Sequence, residues 1–273
     1  MMIDDAIELL NLRDVRIAEE LQLAQVEIGI PWELSGDWMI VGDVHVPTTR
    51  YGFASLISEV AKKHLKRPRK LLIAGDMFNM DSYSAYAAVV SQPSWKQEQA
   101  AAKTLIKLWL ETFDEVRLIL GNHERRLQKW LQGEFSEEDF RGLIYSNTKF
   151  LLSNFGWCTI RSNGTVWRVT HPKNYSVNQL NVAETIAWKY HANVISFHEH
   201  HLSLGWDRFK RFVIVNGGSL IDPSKVPYKL LDDNKSAEFA PGFVMLRNGT
   251  PYIFGQPPIT DWGAWKIDLT LTS

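Results

Sequence analysis

Apolar and polar positions along the chain change rhythm twice. Between residues 3 and 28 the positions Ile3, Ile7, Leu10, Ala18, Leu21 and Ala24 fall near helical spacing until Pro31, which predicts a helix or helix pair. From Trp38 short apolar runs alternate with helical patterns. Strands are expected from Trp38 to Val41, Leu71 to Ala74 and Val116 to Leu120, with helices from about Phe53 to Leu65 and Gln97 to Leu110. That alternation implies largely parallel pairing with right-handed crossovers. Past Phe150 the pattern turns to strands, from Trp157 to Arg161, Val166 to Thr170, Val194 to Phe197, Phe212 to Val215 and Phe243 to Leu246. Asn163-Gly164 is a hairpin signal between the first two, and one helix from about Val182 to Tyr190 interrupts the run. A parallel half followed by a hairpin-rich half predicts an α/β fold of two sheets face to face, flanked by helices. A helical extension would then cover residues 1–36, the main domain 37–256 and a tail 257–273.

Composition narrows the class. With 273 residues, 45% hydrophobic and 22% charged, the chain is long enough for a sizeable core and ordinary for a soluble globular protein. A net charge of -1 supplies no global field toward nucleic acid or an anionic membrane, although a local patch still can. Cys158 is the single cysteine, which rules out an intrachain disulfide and fits a reducing, cytoplasmic setting. Residues 1–30 lack a basic start followed by an apolar stretch, so no secretion signal is expected. No apolar run approaches the ~20 residues of a membrane helix, so no membrane partner is expected either.

The chemistry sits where strands stop. Three apolar runs end in Gly followed by Asp or Asn: Gly42-Asp43-Val44-His45, Gly75-Asp76 and Gly121-Asn122-His123-Glu124. Such an ending aims a polar side chain out of the C-terminal edge of a sheet, where open α/β sheets build their sites. His171 ends another strand, and His198-Glu199-His200-His201 follows. This ordered set is what a two-metal hydrolytic centre requires. Asp76 is expected to bridge the two ions, because the two oxygens of a carboxylate can each face a different one. Asp43 and His45 share a side of an extended chain and would hold the first metal. Asn122 and His171 would serve the second, while His198 and His200, again two apart, would take one each. Two dications, two aspartates and a bridging hydroxide leave about +1, enough to attract a phosphate ester without trapping the product. Coordination also brings the pKa of bound water toward ~7. His123, next to a ligand, is expected to stabilise the phosphoryl transition state and to protonate the leaving oxygen.

These elements, together with Asn79 and the turn Asn216-Gly217-Gly218-Ser219-Leu220, resemble the calcineurin-like metallophosphoesterase superfamily over roughly residues 37–256. The combination of Gly-Asn-His-Glu-Arg125, Asp76-Met77-Phe78-Asn79 and Asn216-Gly-Gly-Ser is similar to the branch often encoded by bacteriophages and prophages, for which the cytoplasm would be the host's. The resemblance implies a four-layer α/β/β/α sandwich of two mixed β-sheets flanked by helices, and attack by a metal-bridging hydroxide in line with the leaving group. It implies two divalent ions, with manganese the expected pair and iron, zinc or nickel the alternatives. The expected activity is a phosphodiesterase or nuclease-like one on DNA, RNA or nucleotides. A phosphomonoesterase, or a non-catalytic metal-binding scaffold, are the alternatives. Two departures stand out. Phe197 occupies the place of a Gly before the last His-x-His. Asn79 occupies that of an Asp able to hydrogen-bond the catalytic His, a role Asp81 would have to assume. Met80, Asp81 and Leu120 stand where protein Ser/Thr phosphatases carry arginines nearby, which counts against a phosphoprotein substrate.

Other residues divide between chemistry and structure. Arg125 follows the third motif at the start of an expected helix and is the candidate for clamping a phosphate oxygen. The basic run from Lys62 to Lys70 precedes the second strand, at the sheet end away from the site, and reads as a solvated rim. Tyr83, Tyr86 and Trp95 suit either base stacking or core packing. His201 would face away from the site, His64 and His191 fall in helical stretches, and Glu124 reads as a helix-start or supporting residue.

Overall fold

Two six-stranded mixed sheets carry the chain in the computed structural model, which describes residues 29–84, 92–131, 136–226 and 239–255. The expected N-terminal helix, the tail and Tyr86 lie outside the described residues. In chain order the elements are β1 (Glu33–Ser35), β2 (Trp38–Val41), α1 (Tyr51–His64), β3 (Lys70–Ala74), α2 (Trp95–Leu110), β4 (Glu115–Ile119), α3 (Glu124–Trp130) and α4 (Glu137–Ile144). There follow β5 (Phe150–Ser153), β6 (Trp157–Ser162), β7 (Thr165–Thr170), α5 (Asn181–Tyr190), β8 (Asn193–Ser196), β9 (Leu202–Trp206), β10 (Val213–Gly217), β11 (Gly242–Arg247) and β12 (Thr250–Gly255). One sheet runs β12-β11-β2-β3-β4-β5, with β2 to β4 parallel as their apolar runs predict and β5 parallel beside them; the other runs β1-β6-β7-β8-β10-β9.

The alternation of side chains in β2 and β3 creates two cores at once. Trp38, Ile40, Leu72 and Ala74 face the second sheet, meeting Ile160, Trp167, Val169 and Ile195. Met39, Val41, Leu71 and Ile73 face outward under Phe53 and Ile57 of α1 and Leu105 and Trp109 of α2. Ala183 and Ala187 of α5 cover Val194 and Ile214 on the outside of the second sheet. Three apolar interfaces between four layers are the sandwich that the sequence predicts. Among the described residues no helix is long and apolar enough to cross a membrane.

Sequence reasoning missed β1, β5, β9 and β12, which include all four sheet edges. An edge strand has one unpaired side and a weaker pattern: β9 carries Ser203 and Gly205, and β12 carries Pro251, which has no amide to donate. The turn Asn248-Gly249 before β12 has the left-handed φ values, 49° and 79°, of a hairpin turn, much as Asn163-Gly164 does at 45° and 79°.

Phe197 resolves its own anomaly. Its ring lies fully buried between the sheets, where a Cβ on Gly42 would stand 2.5 Å from it and one on Gly217 closer still. Two bare backbones thus open the space that the larger side chain fills. Gly217→Ala should therefore cost about 2 kcal/mol by overpacking, read as a lowered urea midpoint. Phe197→Leu added to it should restore part of the loss, and strict additivity of the two would refute this account.

Candidate metal centre

The C-terminal ends of β2 and β3 are laced together by backbone hydrogen bonds. The Asp43 N–H donates to the Gly75 carbonyl at 3.1 Å, and those of Val44 and His45 to the Asp76 carbonyl at 2.8 and 3.0 Å. The chain turns sharply at each motif: φ is 49° at Asp43, 50° at His45, 51° at Asp76, 84° at His198 and 57° at His200. Left-handed backbone disfavours side chains by ~1–2 kcal/mol per residue, least for Asp, Asn and their like. Residues Asp43 and His45, and likewise His198 and His200, were expected to share a side of an extended strand. The structure corrects the reason: β2 stops at Val41 and β8 at Ser196, so left-handed turns make these side chains converge.

Three overlapping clusters result: one of Asp43, His45 and His200, one of Asp76, His171 and His198, and between them one of His45, Asp76 and His123; ligand atoms within each lie within 4.8 Å of one another. In the first, His200 Nε2 is 3.2 Å from Asp43 Oδ1, and His45 Nε2 is 3.8 Å from it. In the second, His171 Nε2 is 3.2 Å from Asp76 Oδ2 and 3.1 Å from Asn122 Oδ1. Asp76 Oδ2 also lies 3.8 Å from His45 Nε2, so this carboxylate faces both the first and the second. Gly121 must lack a side chain here, because a Cβ would collide with the Asp76 carboxylate.

Supporting residues fix which nitrogen of each imidazole is free. His45 Nδ1 donates to Asn79 Oδ1 at 3.2 Å and His171 Nδ1 to the Ala74 carbonyl at 2.8 Å, so Nε2 of both rings, the atom with the lone pair in the neutral form, turns to the carboxylates. Asp43 Oδ1 and His45 Nε2 are buried without a hydrogen-bond partner. Lone pairs facing carboxylates in a dry site are unfavourable unless a cation lies between them. The donor set and its orphaned atoms therefore fit divalent metal ions. Burial resists charge on the aspartates, yet neighbouring imidazoles hold Asp43 and Asp76 below the usual carboxylate range. Burial likewise resists charge on His171, but Asp76 and Asp43 overcome it and raise this group to about 10.

A family model described as calcineurin-like phosphoesterase matches residues 38–263. The chain belongs to this family. Solved structures similar to it include Vps29 of Chaetomium thermophilum, at 10% identity over 81% of this chain and 96% of that one, TM-score 0.41. Wild-type Vps29 of Entamoeba histolytica complexed with zinc gives 11%, 81% and 98%, TM-score 0.38. The hypothetical protein PH1004 of Pyrococcus horikoshii gives 11%, 88% and 94%, TM-score 0.46. No curated protein sequence matches.

Around the centre of this family member, the structure revises several expectations. Position 79 meets His123 through its backbone: the Asn79 carbonyl accepts from His123 Nδ1, while the Asn79 side chain serves His45. Asp81 does not replace the missing carboxylate. It pairs with Arg126 at 3.0 Å, and Arg126 Nη2 lies 3.1 Å from His123 Nε2. Burial, opposed by Asp76 but reinforced by His45 and Arg126, pushes His123 down to about 3. The ring expected to donate a proton is thus neutral at pH 7 here. Arg125, the candidate phosphate clamp, donates to the Asn154 carbonyl at 2.7 Å and lines a cleft beside Asn122 and His171. Trp95 lies tilted against Phe78 and Tyr83 tilted against Trp130, which favours packing over base stacking. His201 is buried against Tyr175 with both ring nitrogens unpartnered.

Two carboxylates support the site from outside it. Glu124 accepts the N–H groups of Asp76, Phe78 and Gly121 at 2.8–3.1 Å, tying the second motif to the third. Glu98, which sequence reasoning missed, accepts those of Asn79 and Met80 at 2.9–3.1 Å and so holds the carbonyl that meets His123. Its signal was legible: Glu98 falls in phase with Ala102, Leu105, Ile106 and Trp109 on the buried stripe of α2. A carboxylate there needs donors.

Proposed function

We propose that the chain is a metal-dependent phosphoesterase that hydrolyses phosphodiesters of nucleic acid or nucleotides. Asp43, His45 and His200 would hold one divalent ion, and Asn122, His171 and His198 another, with Asp76 shared and manganese the expected metal. The observation that carries this reading is the pair of buried, unpartnered ligand atoms, Asp43 Oδ1 and His45 Nε2, in a cluster joined through Asp76 to a second one. Such ions would supply Lewis acidity toward the phosphoryl oxygens and a water of lowered pKa. The chain's own groups do the rest. Arg126 brings permanent positive charge to within reach of His123 Nε2. An anionic phosphoryl group arriving beside that ring would favour its protonated form, against the lowering that burial, His45 and Arg126 impose. Its motif pattern further supports placing it in the bacteriophage and prophage branch.

The test is hydrolysis of bis(p-nitrophenyl) phosphate and p-nitrophenyl phosphate after loading with manganese, iron, zinc or nickel, alongside metal analysis. Turnover of the diester with two ions per chain is expected. Preference for the monoester would overturn the phosphodiesterase reading, and cleavage of neither by metal-replete protein would favour a scaffold. His123→Ala should keep its metal content while kcat falls about 10²–10⁴-fold; a fully active variant would remove His123 from the chemistry.

A further inference from the structure

Asn122 and His171, assigned above to one ion, form one wall of a cleft whose other lining residues have no part in the chemistry above. The cleft measures about 240 Å³ and is lined also by Arg125, Trp157, Thr170 and Lys173. Among the described residues neither of its cations has a carboxylate partner: Arg125 makes its single hydrogen bond to a carbonyl, and Lys173 is exposed. A guanidinium has five N–H donors, so most of those on Arg125 remain for a ligand. Trp157, the first residue of β6, is braced in place. The Arg168 guanidinium lies 3.7 Å from its ring centroid and 3.8 Å from that of Tyr190, and Phe155 meets it edge-on at 6.2 Å. A ring held this way loses little freedom on stacking. Unpaired cations and a fixed aromatic ring, opening directly onto candidate metal ligands, are complementary to a phosphate and a base.

We propose that this cleft binds the nucleotide adjoining the scissile phosphate of a single-stranded nucleic acid. The neighbouring phosphate would lie between Arg125 and Lys173 and its base against Trp157. The assignment rests on the phosphodiesterase reading above and narrows it. The cleft is smaller than the ~300–1,000 Å³ typical for a free small ligand, which suits one unit of a longer chain. A simple monoester has no group to place there, and a duplex keeps its bases stacked on each other.

The probe is a fluorescein-labelled phosphorothioate tetranucleotide of thymidine, slow to turn over, bound to the manganese-loaded protein and followed by anisotropy. Arg125→Gln and Lys173→Gln should each weaken binding about fivefold or more. Together they should reduce the slope of log Kd against log salt by about 0.7, the share of the one phosphate they hold between them. Trp157→Leu should weaken the tetranucleotide about tenfold and leave a duplex probe unaffected. The proposal is overturned if the wild type does not bind the tetranucleotide, if the charge variants bind it as the wild type does, or if Trp157→Leu weakens duplex equally. Equal competition by a phosphoserine peptide would also overturn it. Because Lys173 is exposed, its variant keeps the test valid should Trp157→Leu fold poorly. Binding needs no turnover, so a protein that cleaves no ester would refute the phosphoesterase reading while these affinities still decide the cleft.

Discussion

Glu124→Ala should lower folding stability by about 4 kcal/mol even in metal-free protein. The side chain is fully buried and accepts three backbone N–H groups, from Asp76, Phe78 and Gly121, that have no water to turn to. Leaving a buried donor unsatisfied costs about 1–3 kcal/mol, and the truncation orphans three at once. Part of that is offset because burial and the nearby Asp76 charge push the Glu124 carboxyl pKa upward, so the ionised form is itself costly. A net loss near 4 kcal/mol is a large share of the 5–15 kcal/mol that holds a domain together. For a chain of this size it corresponds to a fall in melting temperature of roughly 10 °C. Glu124→Gln keeps one acceptor oxygen but turns an amide N–H toward a backbone donor, and should fall between the two. A melting temperature within a degree or two of wild type for Glu124→Ala would show that these three contacts do not hold the motifs together.

Glu124 also marks where sequence could and could not speak. The positions of Asp43, Asp76, Asn122 and His171 at strand ends follow from apolar runs that stop at a turn, and that signal is local. The convergence of His198 and His200 on different clusters depends on left-handed backbone at both residues, which period-two reasoning cannot see. The substitution at position 79 looked like a lost carboxylate partner for His123. The fold answers with a backbone carbonyl, and no side-chain pattern encodes which carbonyl faces which ring. Arg125 and Arg126 are adjacent and chemically identical. Helical phase alone directs one to the cleft and the other to His123. Buried acids were legible in principle, since a carboxylate in phase with an apolar stripe has to find donors, as Glu98 does.

Asp76→Asn should strip metal and abolish most activity with little change in the metal-free fold. The amide preserves the volume and keeps an oxygen to accept the His123 N–H, now bound by Asp76 Oδ1 at 2.9 Å. What disappears is the charge and the second anionic oxygen, the one that lies 3.2 Å from His171 Nε2 and 3.8 Å from His45 Nε2. If that oxygen is shared, losing it weakens both ions together, and several kcal/mol of charge stabilisation corresponds to a roughly thousandfold drop in kcat/KM. Ligand linkage gives a readout apart from turnover. Wild type should gain about 2.7 kcal/mol at metal a hundredfold above Kd, seen as a rise in melting temperature that the variant lacks. Metal-free protein supplies a second. His171 is raised to about 10, with Asp76 the first carboxylate to lift it against burial. A raised folded-state pKa contributes stability below the unfolded value near 6.5 that is lost as pH climbs through about 10. The wild type should therefore weaken across that interval, and Asp76→Asn should show a flatter profile. Two ions per chain in the variant, with a metal-dependent melting shift of wild-type size, would exclude Asp76 as the shared ligand, whereas a lost shift with Glu124-like destabilisation would assign it a purely structural role.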